Sequence, residues 1–186
     1  MWSYKDHGKS WEAVYERRHP PGFRWLHESF GTNWRMTEMQ AAIGRIQLRR
    51  VSDWVASRRR NWLILATAME HCVAVRVPRP DSRFEHAAYR MYAFVNSSAL
   101  KEGWSRDRIV TELMEMGVPC YQGSCSEVYR ERAFVTRGLQ PEKPLPTAQE
   151  LGATSLMFLT HPTLTPSEMD RISDTAARVL RKASAY

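Results

Sequence analysis

Asn33 and Arg35 stand two residues apart on a short loop that runs into Thr37, Glu38, Met39 and Gln40, where Thr37 and Gln40 have the spacing of a capping box. A helix N-terminus carries partial positive charge and free N–H groups, so an anion can be held there by both. An arginine two residues upstream adds a full charge to the same place. The chemistry on offer is the binding of a phosphate or a carboxylate. The plainer alternative is that Arg35 pairs with Glu38 or with solvent, while Asn33 merely closes the turn after Gly31.

Other chemistry-bearing patterns are missing. The chain has no Gly-x-Gly-x-x-Gly, no P-loop, no His-Glu-x-x-His and no Gly-x-Ser-x-Gly. Its six histidines show no metal spacing, and Cys120 and Cys125 lack both the spacing and the histidine partners of a zinc site. No metal is expected. Three cysteines are too few and odd in number for a disulfide framework. With no signal peptide and no apolar run near ~18 residues, the expectation is a cytoplasmic protein without membrane contact.

The formal charge of +7 comes from 22 arginines and five lysines against 20 acids, and the arginines are scattered. The densest run is Arg58, Arg59 and Arg60, with Arg45, Arg49 and Arg50 just before it. Such a balance permits nucleotide, nucleic-acid or acidic-surface partners, but it also describes a solvated helix face. A nucleic-acid binder built on Arg58 to Arg60 would bind with a clear salt slope, yet no recognised order of nucleic-acid-binding elements occurs, so none is expected.

Positioning the Asn33 loop falls to the elements around it. Residues 1 to 35 read as loop, punctuated by His7-Gly8 and Pro20-Pro21-Gly22 and carrying Trp2, Trp11, Trp25 and Trp34. Such a segment cannot bury its rings alone and must lean on the following helices or on a second chain. From Thr37 an apolar stripe of Met39, Ala42, Ile43 and Ile46 keeps helical spacing, slips near Gln47 to Arg50, and resumes as Val51, Val55, Trp62, Leu65, Ala66 and Met69. One kinked helix or two consecutive helices would produce that slip.

Val73, Val75 and Val77 alternate as in a half-buried strand, stopped by Pro78, and residues 88 to 95 form a second strand. Ser105 opens a helix with Ile109, Val110, Leu113, Met114 and Met116 inside and Gly117 as its stop. A short strand, Val118 to Tyr121, is followed by a proline-rich connection and a strand from Ser155 to Leu159. Thr165-Pro166-Ser167-Glu168 then caps a last helix burying Met169, Ile172, Ala176, Val179 and Leu180. The order strand, strand, helix, strand, strand, helix predicts a compact α+β sandwich preceded by long helices.

The run GTNWRMTEMQAAIGRIQLRRVSDWVASRR closely resembles the corresponding segment of the DegT/DnrJ/EryC1/StrS family of pyridoxal-phosphate (PLP) sugar aminotransferases. Asp6-His7-Gly8, GVPCYQGSCSEVYRERAF from Gly117 and SLMFLTHPTLTPSEMDRI from Ser155 match in the same order. The resemblance implies the fold-type I architecture, in which a large α/β domain carries the cofactor, a smaller α+β domain follows, and dimers form active sites at their interface. Residues 71–186 would be the α+β small domain, 37–70 the connecting helices, and 1–36 the irregular tail of a truncated large domain.

What the resemblance implies for the site is partial. Transamination needs a Schiff-base lysine and an acid for the pyridine nitrogen. In the family that lysine lies upstream of the His-Gly match in a stretch of small residues. None of Lys5, Lys9, Lys101, Lys143 or Lys182 sits in such a setting, so the chain is expected to begin after it, to carry no catalytic residue and not to bind PLP alone. Asn33 resembles the asparagine that reaches across the dimer to the cofactor phosphate. Arg35 resembles a residue near the sugar-nucleotide site, and Tyr121 and Gln122 stand where many members place a His-Tyr pair near substrate.

The implied function is the C-terminal part of an enzyme that aminates a nucleotide-linked keto sugar for surface polysaccharide, O-antigen or antibiotic sugars. Glutamate is the implied amine donor and a homodimer the implied assembly. The alternative is a non-catalytic partner module that completes another subunit's site in trans.

Overall fold

The computed structural model describes residues 1–19 and 25–185, so the Pro20-Pro21-Gly22 breaker lies outside the described residues. The chain divides into two units, Met1–Val51 and Ser52–Tyr186.

In the first unit the expected loop contains two short helices, α1 (Trp2–Lys5) and α2 (Trp11–Tyr15), the second capped by the Ser10 hydroxyl accepting from Ala13 N. Residues 4–10 run against residues 26–34. His7 N donates to Thr32 O at 3.1 Å, Thr32 N to Tyr4 O at 2.7 Å and Ser10 N to Leu26 O at 2.8 Å. Two glycines permit this approach. Gly8 has φ +85°, and a Cβ there would lie 1.7 Å from the Ser29 carbonyl oxygen; a Cβ on Gly31 would lie 2.3 Å from Gly8 N. The aromatics contact each other, Trp2 with Trp11 at 5.2 Å and Tyr4 with Trp34 at 5.5 Å between ring centroids. Trp25 and Phe30 nevertheless stay exposed.

The capping box forms as read: Thr37 Oγ1 accepts from Gln40 N, and the Gln40 side chain accepts from Thr37 N. It opens α3 (Glu38–Leu48), and the slip in periodicity is a true break, since α4 (Val51–Met69) starts after a turn at Arg49 and Arg50. No residue of α3 is buried, and Met39, Ile43 and Ile46 are exposed.

The second unit is built on an antiparallel sheet in the order β1-β2-β4-β3. Its strands are β1 (Val75–Arg76), β2 (Arg90–Val95), β3 (Cys120–Tyr121) and β4 (Ser155–Leu159). Alternation sorts the side chains. Met91, Ala93 and Val95 of β2, Leu156 and Phe158 of β4 and Cys120 of β3 face the core, while Arg90, Tyr92, Phe94, Met157 and Tyr121 take the other face. The core is completed by Leu65, Ala66 and Met69 of α4, Ile109 and Leu113 of α5 (Arg106–Glu115), and the apolar face of α8 (Pro166–Ala183). Fully burying a side chain such as Phe158 contributes about 2–3 kcal/mol.

Five expectations are corrected. The short strand expected over Val118 to Tyr121 pairs with β4 only at Cys120 and Tyr121. The first strand is only Val75 and Arg76, because it pairs with β2 at just Val95 and Phe94 before proline stops it. β2 begins at Arg90, not 88, since Ala88 adopts φ +50°, outside the extended region. Met114 and Met116, expected inside, are exposed, because α5 turns only its Ile109/Leu113 stripe to the core. The proline-rich connection holds two helices, α6 (Arg132–Val135) and α7 (Pro146–Thr154), the latter with Pro146 at its first position, where the missing N–H costs nothing.

Candidate functional site

The Asn33 loop is organised by a buried acid. Asp6 is 1% exposed; its Oδ2 accepts from Arg35 Nη2 and its Oδ1 lies 3.4 Å from Lys9 Nζ. An isolated carboxylate would not be tolerated at that depth, so the two cations stabilise it and it fixes them. Arg35 therefore pairs with Asp6 rather than with Glu38 or solvent. The Asp6 main chain also forms an isolated antiparallel bridge with Asn33, so Asp6 meets the loop twice, through its backbone at Asn33 and through its carboxylate at Arg35.

Within that loop, Asn33 Oδ1 accepts from Arg35 N at 3.1 Å, a local turn of the kind asparagine favours. Its Nδ2 has no partner among the described residues and the residue is exposed. Asn33 thus closes its own turn with one end of the amide and presents two free N–H donors with the other. That geometry fits the anchoring of a phosphate.

The second unit carries Tyr121 and Gln122. Tyr121 is exposed on the outer face of β3. Gln122 Nε2 donates to Asp107 Oδ1 at 2.7 Å, and the same oxygen accepts from Arg106 Nε at 2.7 Å. Gln122 is held at the start of α5 and leaves Tyr121 as the freer of the two. Asn33 and Arg35 share one loop, and Tyr121 and Gln122 share another.

Three of the five lysines are engaged by other groups. Lys9 is paired with Asp6, Lys182 Nζ donates to Glu112 at 2.7 Å, and Lys101 Nζ donates to the Lys182 carbonyl at 3.1 Å. A charged, partnered ammonium is not poised for attack on a carbonyl. Asn33 therefore fits a phosphate anchor, and the three partnered lysines do not fit the Schiff-base role.

Cysteine offers no substitute. Burial pushes the Cys120 thiol up to about 12, so it stays protonated at neutral pH, and Cys125 is exposed without a histidine partner. Among the described residues no group of three or more His, Cys, Asp or Glu could hold a metal ion, and no helix is long and apolar enough to cross a membrane. Asp6 is the residue sequence reading missed: it appeared only as part of the Asp6-His7-Gly8 match, and its role depends on a partner 29 positions away.

Comparison with known proteins gives the family. The model of the DegT/DnrJ/EryC1/StrS aminotransferase family matches residues 4–176, and the chain belongs to that family. It is 28% identical over 119 residues to 3-amino-5-hydroxybenzoate synthase of Amycolatopsis mediterranei, covering 64% of this chain and 30% of that protein. It is 25% identical over 152 residues to the erythromycin biosynthesis sensory transduction protein EryC1 of Saccharopolyspora erythraea, covering 82% of this chain and 39% of that protein. An aminotransferase from Psychrobacter cryohalolentis superposes with a TM-score of 0.87 at 52% identity, covering 98% of this chain and 48% of that one. The chain thus spans less than half the length of each of these relatives.

Proposed function

We propose that this chain is the C-terminal part of a PLP-dependent enzyme that aminates a nucleotide-linked keto sugar, with glutamate as the donor, in the cytoplasm. Residues 71–186 act as the small domain, 37–70 as connecting helices and 1–36 as the tail of the large domain. The observation that carries this reading is the Asn33 loop, a family segment in which one end of the amide holds the turn and the other is free to donate.

The chain's own contribution follows from that geometry. Asn33 Nδ2 would donate to the phosphate of a cofactor held mainly by a neighbouring subunit, and the Asp6–Arg35 pair keeps the loop in place. PLP, when bound, supplies the electron sink for amino transfer. Arg35, half exposed beyond its link to Asp6, and Tyr121 would contact the sugar nucleotide, with Gln122 holding the strand end. Homodimerisation is supported by the exposed Met39, Ile43 and Ile46 face of α3, which nothing within its own unit covers.

Alone, the chain is inactive, because none of its five lysines takes the Schiff-base role. The test is reductive trapping: incubate the purified chain with PLP, reduce with borohydride and map adducts by mass spectrometry. Scattered, substoichiometric labelling is expected. A stoichiometric adduct on one lysine, with turnover of a keto-sugar nucleotide, overturns the reading. The second reading, a non-catalytic module lending Asn33 to another subunit, rests on the same free Nδ2, and co-purification with a lysine-bearing family member would favour it.

A further inference from the structure

Arg90 opens β2 with a guanidinium that makes no hydrogen bond or ion pair among the described residues. It lies over the Tyr89 ring, 4.9 Å from the centroid, and Arg58 lies 5.2 Å from the same ring while its Nη1 donates to Tyr89 O at 3.1 Å. Two cations therefore share one aromatic ring, and no acid offsets either.

The segment that delivers these residues is held against its own preference. Ala88 sits at φ +50°, a left-handed conformation that alanine rarely adopts. The surroundings enforce it: Ala88 N donates to His86 Nδ1 at 2.9 Å, the Thr160 hydroxyl donates to Ala88 O at 2.6 Å, and Arg59 Nε donates to His86 O at 2.7 Å. Strain that several elements combine to maintain is a mark of a site rather than of a connection. With Nδ1 accepting, the neutral His86 ring carries its hydrogen on Nε2, which is a donor.

Beside this segment lies a cavity of about 510 Å³, lined by Tyr89, Arg90, Tyr92, Met157, His86 and the Gly123-Ser124 pair. No lining residue is acidic. Gly123 has φ +86°, and a Cβ there would come within 2.8 Å of the Tyr92 ring, so only glycine lets this loop close on Tyr92. The Tyr92 and Ser124 hydroxyls, like Arg90, have no partner among the described residues.

We propose that this cavity is an oxyanion subsite. The Arg90 guanidinium receives a carboxylate or phosphate of a small molecule, His86 Nε2 and the Ser124 hydroxyl add donors, and the body of the ligand lies on Tyr92 and Met157. An arginine fork without a protein acid is matched by a two-oxygen anion. The assignment holds whether or not the chain lends Asn33 to another subunit.

The test is calorimetric titration of the full chain at low salt with glutarate in one arm and inorganic pyrophosphate in the other. Saturable binding of either, at one site per chain, supports the proposal, and the arm that binds tells carboxylate from phosphate. Arg90→Gln should weaken that binding at least about tenfold and Arg90→Lys by less, because the lysine keeps the charge but loses the fork. Arg83→Gln removes the same charge from an exposed arginine engaged with Asp81 and should leave binding unchanged. Melting curves check that each variant is folded. The proposal is overturned if neither probe binds below about 10 mM, a weak-binding limit, or if Arg83→Gln weakens binding as much as Arg90→Gln.

Discussion

Replacing Asp6 with alanine tests the loop directly. The Asp6 carboxylate is 2% exposed, the Lys9 side chain 11% and the Arg35 side chain 54%. Removing one partner of a fully buried pair costs about 3–5 kcal/mol, mostly because a charge is left desolvated. Arg35 can return to water, so its share falls to the about 0–1 kcal/mol of an exposed pair. Lys9 is the more deeply held of the two cations, at 11% exposed, so the loss lies between these limits. The expected loss is about 2–3 kcal/mol for the local structure, a roughly 30- to 150-fold change in the equilibrium for opening it. Native-state hydrogen exchange reads this at the amides of His7, Thr32 and Trp34, which donate to Thr32, Tyr4 and Lys5 carbonyls. Asp6→Asn, which keeps an acceptor but no charge, should fall between. A change below about threefold at all three amides in Asp6→Ala, under this exchange regime, would refute the claim that the carboxylate organises the loop.

Other outcomes follow from single contacts. Gly8→Ala combines φ +85° with a Cβ 1.7 Å from Ser29 O, so it should unfold the pairing of residues 4–10 with 26–34, at a cost above about 3 kcal/mol by the same exchange measurement. The backbone N–H of Thr165, then its hydroxyl, hold the Glu168 carboxyl below its usual range. A depressed folded value means the stabilisation is full above the ordinary carboxylate value and is lost as pH falls through the folded value. The stability difference between wild type and Glu168→Gln, from urea melts across that window, should therefore vanish in acid. Because burial holds the Cys120 thiol up to about 12, a disulfide reagent at pH ~8 should modify exposed Cys125 quickly and Cys120 only on unfolding; fast labelling of Cys120 in the folded chain would contradict its place in the core.

What the sequence made legible was local. Thr37 with Gln40 and Thr165 with Glu168 could be read as helix starts because each box closes within three residues, and Ser155 to Leu159 alternates cleanly enough to give both strand ends. What it hid depends on distance or on coverage. The apolar stripe of α3 shows a face but not whether anything covers it, and Met39, Ile43 and Ile46 are bare in this unit. Prolines at 141, 144 and 146 read as a connection, although the last sits at the one helical position that suits it. Asp6 and Arg35 meet across 29 positions, and the left-handed turn at Ala88 is imposed by Thr160 and Arg59, so neither leaves a signal in neighbouring residues. The candidate residues Asn33 and Arg35 were visible from spacing and resemblance; the Asp6 that meets both, one by its backbone and the other by its carboxylate, was not.

Complementation tests whether Asn33 serves a site on another subunit. A lysine-bearing family member whose own asparagine at the position matching Asn33 is changed to aspartate is mixed with this chain, association is confirmed by light scattering, and turnover of a keto-sugar nucleotide is measured. The wild-type chain should restore turnover, and its Asn33→Asp form should not. Equal rescue by both forms, or none by either in a mixture that has associated, would contradict it.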